Sequence, residues 1–295
     1  FGTCGGGMAL IPALTDFTFM EEKKGKLFVN SPNALDGNIS SKCDTAAAEF
    51  QSEETGLVDV VGSEADILAQ IRQLVGMLPS NNEDEAYTDC TDNLNRACPD
   101  LANCAGDTGI LLSQISDNGV VFETKRNYAK DMVTAFIRLN GATVGAVANR
   151  SEIYGQDGTV EATFDGTLSA KGAKKAADFV KFCDAFGIPV LTVTNVKGFK
   201  ATKCSEKFMA KNVAELTYAF ADATVPKVNV IVGQAYGSAY LAMNSKSIGA
   251  DMVFAWPNAE IGMMDAKAAA KIMYADADLA TINEKAAEYA TLQNN

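Results

Sequence analysis

The apolar positions fall into two kinds of run separated by polar breaks. Apolar residues are dense over 8–19, which predicts a buried helix. The charged stretch Glu21-Glu22-Lys23-Lys24-Gly25-Lys26 predicts a turn, and 26–30 and 57–61 predict short strands. Ser63 followed by Asp66 reads as the cap of a helix in which Ile67, Leu68, Ile71, Leu74, Val75 and Leu78 keep helical spacing, with Pro79 ending it. Over 80–107 Asn, Asp, Glu and Thr dominate, and this stretch is expected to be a domain linker with at most a short helix near 91–97. Beyond it the pattern predicts a helix over 127–139 (Tyr128, Met132, Phe136, Leu139) and a strand over 142–148. A helix over 170–186, an apolar run over 189–193, a helix over 205–222 and a strand over 228–232 come next. Such alternation predicts an α/β fold with a largely buried sheet.

The order of elements repeats. Gly5-Gly6-Gly7, an apolar stretch and a strand leading into Pro32-Asn33-Ala34 occupy the start. Tyr236-Gly237-Ser238-Ala239, an apolar stretch and a strand leading into Pro257-Asn258-Ala259 occupy the end. This echo predicts a duplicated domain. A small-residue turn between strand and helix bares backbone N–H groups and lets a substrate approach the main chain. Gly6 and Gly7, and again Ser238 and Ala239, are therefore candidates for an oxyanion hole, with tight helix-to-strand packing as the alternative use of the same residues. Neither turn has the Lys-Ser/Thr of a phosphate loop, and no G-x-G-x-x-G follows a strand.

Composition narrows the chemistry. The 295 residues contain no histidine, which removes Ser-His-Asp and Cys-His catalysis and His-ligated zinc from the chain's own repertoire. The net charge of −12 argues against a nucleic-acid or anionic-membrane surface, while leaving room for an anion held by a local basic patch. Seven cysteines, an odd number with no C-x-x-C pair, point to a reducing cytosol and to neither a disulfide framework nor a metal site. No apolar run approaches 18 residues. The opening Phe1-Gly2-Thr3-Cys4 lacks a Met and leads straight into a glycine turn, so the sequence is expected to be part of a longer polypeptide.

Several blocks carry a resemblance. Gly2-Thr3-Cys4-Gly5-Gly6-Gly7 running into Pro12-Ala13-Leu14-Thr15-Asp16-Phe17 resembles the biotin-dependent acyl-CoA carboxyltransferases of the propionyl-CoA carboxylase β and methylmalonyl-CoA decarboxylase α type. So do Asn140-Gly141-Ala142-Thr143-Val144-Gly145 and Lys171-Gly172-Ala173 leading into Phe182-Cys183-Asp184-Ala185-Phe186-Gly187-Ile188-Pro189. The longest block is Tyr218-Ala219-Phe220-Ala221-Asp222-Ala223-Thr224-Val225-Pro226-Lys227-Val228 with Ala235-Tyr236-Gly237-Ser238-Ala239-Tyr240. Ala255-Trp256-Pro257-Asn258-Ala259-Glu260-Ile261 closes the series.

The resemblance implies an α/β fold of duplicated crotonase-type domains, truncated here at both ends: 1–105 as the back of the first domain plus linker, and 106–295 as the second. It implies transfer of a carboxyl group between a short acyl-CoA, methylmalonyl-CoA or propionyl-CoA first, and biotin on a separate carrier, with no metal in the transfer. The Gly6 and Gly7 turn would hold the thioester enolate oxygen, and the Ser238 and Ala239 turn the biotin ureido oxygen. Lys171, Lys174 and Lys175 would hold the CoA phosphates, or else form a solvated helix face. Tyr240 and Leu241 would line the acyl pocket, or else make simple core contacts. The partners implied are a biotin carboxyl carrier protein, further copies of the chain with active sites at a dimer interface, and, for a decarboxylase, a membrane subunit; nucleic acid is not among them. A decarboxylase complex is the first reading and an acyl-CoA carboxylase β subunit the second. A CoA-binding scaffold without turnover is the reading from another class, and crotonase-type hydrolase or isomerase chemistry would need a base, for which Glu260 is the candidate. Three positions depart from the common pattern. Asn195-Val196-Lys197-Gly198-Phe199 stands where members often carry Asp-x-Pro-Gly-Phe. Leu241 stands where propionyl-preferring members often have Asp, and Asp265 where Gly is usual.

Overall fold

The computed structural model describes residues 1–155 and 157–294. The N-terminal stretch builds two small parallel pairs. Strand β1 (Thr3–Gly5) is followed by a 3-10 turn over Gly6–Ala9 and the single-turn helix α1 (Leu10–Ala13). Strands β2 (Phe19–Glu21) and β3 (Lys26–Phe28), helix α2 (Ala48–Glu53), strand β4 (Val60–Gly62) and helix α3 (Glu64–Met77) complete it. β1 pairs with β3 and β2 with β4. α3 begins where the cap predicts: Ser63 Oγ accepts the Asp66 N–H at 3.3 Å.

The buried helix expected over 8–19 is not there. Met8, Leu10, Ile11 and Leu14 are exposed and only Ala9 is buried. Hydrophobicity marks residues that favour being covered, but among the described residues no element lies over them.

The C-terminal two thirds form a seven-stranded sheet. Helix α4 (Thr108–Ile115) leads into β5 (Val121–Thr124), β6 (Met132–Leu139) and β7 (Ala142–Asn149), an antiparallel meander. A small hairpin, β8 (Glu152–Tyr154) with β9 (Val160–Thr163), stands apart. Then come α5 (Ala170–Ala185), β10 (Val190–Val196), α6 (Lys203–Asp222) and β11 (Lys227–Tyr236). The chain ends with α7 (Gly237–Ala242), β12 (Met252–Ala255), β13 (Glu260–Gly262), α8 (Ala266–Met273) and α9 (Leu279–Gln293). The sheet order is β12-β11-β10-β7-β6-β5, parallel from β7 through β12, with β13 beside the end of β11.

The helix expected over 127–139 is a correction: 132–139 is a central strand. Met132 and Phe136 enter the core under α5 and α6, while Val133, Ala135 and Ile137 enter the core under α4. A strand buried on both faces reads as a continuous apolar run, so its residues also satisfy a helical template. The Asn140-Gly141 turn, with φ of 52° and 81°, closes the β6–β7 hairpin.

The polar stretch over 80–107 has no helix at 91–97; a 3-10 turn forms instead over Leu101–Cys104. It is strapped to the sheet. The Thr88 N–H donates to Gly141 O and the Thr143 N–H to Ala86 O, and Arg96 donates to the carbonyls of Gln114 and Ser116. The N-terminal stretch also shares the main core: Leu74 and Met77 of α3, with Phe17 and Phe19, pack against residues of α5 and β6. No helix among the described residues is long and apolar enough to cross a membrane.

Candidate functional site

Two strand-to-helix turns stand out because each opens on a glycine in the left-handed region. Gly6 has φ +63° and Gly237 φ +58°, a conformation L side chains rarely adopt. Each turn ends the first strand of a parallel pair: Gly5 of β1 lies beside Phe28 of β3, and Tyr236 of β11 beside Gly262 of β13. By their left-handed glycines the two turns correspond as Gly6 with Gly237, which matches Gly7 to Ser238 and Met8 to Ala239. In that register the candidates Gly6 and Gly7 match Gly237 and Ser238, and the candidates Ser238 and Ala239 match Gly7 and Met8. The Pro-Asn-Ala triplets do not correspond either. Pro32–Ala34 follows β3, whereas Pro257-Asn258-Ala259 lies between β12 and β13. The repeat is carried by turn geometry, and the tripeptide match is incidental.

The glycines of the first turn have separate duties. A Cβ on Gly5 would lie 2.8 Å from the Phe28 ring, Gly6 makes the bend, and Gly7 faces open space. At the second turn a Cβ on Gly237 would lie 2.8 Å from the Met263 carbonyl oxygen, so close packing and backbone sign coincide in one residue. The amides of Gly237, Ser238 and Ala239 open α7 and have no partner one turn back within it. The Ser238 side chain is exposed while that of Ala239 is buried.

Below the second turn lies a polar support. The Tyr236 hydroxyl donates to the Glu260 carboxylate; burial, with that carboxylate, pushes the Tyr236 pKa well up. Glu260, the candidate base, is thus held by Tyr236 at the strand end. Asn229 donates from Nδ2 to the carbonyls of Met243 and Asn244 at 2.9 and 3.0 Å, anchoring the far end of α7. Tyr240 is half-buried against the main core and a small cluster containing Ile231, Ala235 and Ala259. It makes a core contact, the alternative use of that residue, and Leu241 is exposed.

The three lysines do not act together. Lys175 is fully buried and donates to the carbonyls of Lys125, Tyr128 and Met132 at 2.9, 2.9 and 2.7 Å. Burial pushes its pKa down to about 7. Lys174 is paired with Asp178 and, at 3.5 Å, with Glu215. Lys171 is the most exposed of the three, 3.1 Å from a Glu54 carboxylate oxygen and over the Tyr128 ring. It lines a cavity of about 450 Å³ with Tyr128, Lys200, Thr202, Cys204 and Phe208. Lys200 is one of a spaced series with Lys197, Lys203 and Lys207, and only the fold singles it out by placing it beside Lys171.

The two turns sit on different sheets, and none of the principal cavities is lined by either. Each opens onto exposed apolar surface: Met8, Leu10, Ile11 and Leu14 at the first, Leu241 and Met263 at the second.

Known proteins resemble this chain in sequence and in fold. The carboxyl transferase domain family matches residues 1–295. The chain is 38% identical to a putative propionyl-CoA carboxylase β chain of Bacillus subtilis, covering 98% of this chain and 58% of that protein. It is 35% identical to the methylmalonyl-CoA decarboxylase α subunit of Veillonella parvula, over 92% of this chain and 54% of that one. Among solved structures, transcarboxylase 12S with methylmalonyl-CoA and methylmalonic acid bound superposes with a TM-score of 0.88 at 33% identity, covering all of this chain and 58% of the other. The chain therefore spans a little over half the length of the curated relatives it matches. The likeness to transcarboxylase 12S carries the crotonase-type α/β fold.

Proposed function

The chain belongs to the carboxyl transferase domain family, and on that premise we propose that the protein of which it forms part moves a carboxyl group between a short acyl-CoA and biotin. The observation that carries this is the pair of strand-to-helix turns, each opening on a left-handed glycine. Biotin, held on a separate carrier, supplies a ureido nitrogen that takes up or releases the carboxyl group. The residues of the chain stabilise charge. Cleaving the bond between the acyl α-carbon and its carboxyl leaves negative charge on the thioester oxygen, and fixed N–H donors lower the energy of that enolate without reorganising. The amides of Gly7 and Met8, with Gly6 setting the bend, are the donors at the first turn. Those of Ser238 and Ala239 are the donors at the second, toward the ureido oxygen. The open space beside Gly7 and the exposed flank of Ser238 let a ligand reach the main chain.

Methylmalonyl-CoA is the first choice of substrate, since the transcarboxylase 12S structure is described with it bound and one relative is a methylmalonyl-CoA decarboxylase subunit. The alternative direction, carboxylation of propionyl-CoA, is supported by the relatives that are propionyl-CoA carboxylase β chains. The partners proposed are a biotin carrier and further copies of this chain; the transcarboxylase 12S relative is described as a hexamer. Facing two turns on apolar, uncovered surface is what assembly would accomplish, with the first turn of one protomer opposite the second of its partner. A membrane subunit would join if the complex is a decarboxylase. The proposed domains, 1–105 and 106–295, each contribute one turn.

For the CoA phosphates we propose Lys171 with Lys200, in place of the three-lysine cluster. Reversing both charges (Lys171→Glu with Lys200→Glu) is expected to raise the Kd for CoA about tenfold at low salt, and by less as ionic strength rises. Isothermal titration at two salt concentrations measures it; an unchanged Kd removes this cavity from CoA recognition. Carboxyl transfer from methylmalonyl-CoA to free biotin tests the function itself.

A further inference from the structure

The β10–β11 pairing breaks just before the second turn. The register runs Val190 with Lys227 to Thr194 with Ile231, then resumes at Val196 with Ala235. One residue of β10 thus faces three of β11, Val232, Gly233 and Gln234. Beyond the break β11 also changes its other neighbour, from β12 (through Ile231) to β13 (from Gln234). The break therefore aims the three residues that lead into Gly237.

Asn195 fills the break. Its Oδ1 accepts the Gln234 N–H at 3.0 Å, replacing a ladder bond, and its own N–H donates to Asn149 Oδ1 at 3.1 Å. Gly233 leaves room for it, since a Cβ there would come 2.6 Å from Asn195 Oδ1. Asn149 is buried at the end of β7, so the chain of contacts ties the turn-bearing strand to the middle of the sheet. An irregular strand with an unpaired amide would otherwise be free to shift, and extra residues in a ladder re-aim the strand beyond them.

We infer that Asn195 is a positioning residue for carboxyl transfer: through Gln234 it fixes where the Ser238 and Ala239 amides point. The inference rests on the proposed function of that turn. It needs an acceptor oxygen at 195, which the Asp common at this place in the resembling family also supplies.

The experiment uses the full-length protein with its biotinylated carrier, comparing the parent, Asn195→Leu and Asn195→Asp. Asn195→Leu is expected to lower kcat by about tenfold or more with the acyl-CoA KM within about twofold, since small misplacement of fixed groups has large rate effects. Amide hydrogen exchange over 234–242 is expected to quicken in the same variant, with the rest of the sheet unchanged. Asn195→Asp is expected to restore both. An active parent with Asn195→Leu at parental kcat per folded molecule and parental exchange overturns the inference. So does a failure of Asp to rescue. A parent that transfers no carboxyl group overturns the functional reading first and this inference with it, which the parent's own assay identifies.

Discussion

Replacing Ser238 by proline is expected to lower kcat for carboxyl transfer about 10²–10³-fold, the cost of one lost donor in an oxyanion hole. Proline removes the amide hydrogen and the exposed hydroxyl, and it narrows the conformations open to Gly237, whose missing Cβ eases that restriction. Ser238 is the second residue of α7, where the N–H has no intrahelical partner, and proline is tolerated in a helix's first turn. Its side chain is exposed, so no core contact is lost. The thermal midpoint is expected to stay within a few degrees of the parent. Gly237→Ala provides the contrast. Its φ of +58° and the Met263 carbonyl 2.8 Å from the new Cβ distort the turn itself, so activity and stability fall together. Parental kcat in Ser238→Pro would take the second turn out of the mechanism.

The second large effect is on stability. Lys175→Met is expected to destabilise the fold by about 3–5 kcal/mol at pH 9, because the carbonyls of Lys125, Tyr128 and Met132 lose a donor inside the core. Those carbonyls lie in the turn entering β6 and at its first residue, where Lys125 also reaches Gly56 O and so ties in the N-terminal stretch. The effect has a sign in pH. Burial depresses the folded pKa to about 7, against about 10.4 unfolded. Between these values the unfolded chain binds the extra proton, so stability rises with pH in that window by up to about 1.4 kcal/mol per pH unit. Below pH 7 the full cost of the buried charge is present. The gap between parent and Lys175→Met should therefore be widest near pH 10 and shrink toward pH 7. Chemical denaturation across that range measures it, and a gap independent of pH would contradict the assignment of the depressed lysine.

Much of this architecture is written in local signals. The Ser63 cap, Pro79, the helices under 170–186 and 205–222 and the parallel strands around them follow from spacing and capping, because there one face is buried and the other wet. β6 misleads for the opposite reason: with both faces covered it carries no alternation. Asn140-Gly141, a hairpin turn between two apolar runs, is the signal that distinguishes the two readings. The exposed run over 8–14 misleads because apolar residues say that they favour a cover without saying which chain provides it.

The site is legible in kind and shifted in detail. The small-residue turns at Gly6–Gly7 and Ser238–Ala239 are visible as glycine punctuation, but only the left-handed φ values show that Gly6 matches Gly237. Lys171, Lys174 and Lys175 look alike on a sequence, whereas the helix turns them toward a cavity, an acidic neighbour and the core. Asn195 has no local pattern, and the lysine series 197, 200, 203 and 207 does not single out Lys200; a broken ladder and the loop after β10 bring them to notice, which are tertiary facts.

Carboxyl transfer itself is tested most directly by one labelling assay. Full-length protein is incubated with methylmalonyl-CoA carrying a labelled carboxyl carbon and with the biotinylated carrier. The expected result is label on the carrier, propionyl-CoA formed in equal amount, and loss of both in Ser238→Pro. CoA binding without label transfer from methylmalonyl-CoA or any other short acyl-CoA would contradict carboxyl transfer and leave a CoA-binding scaffold in its place.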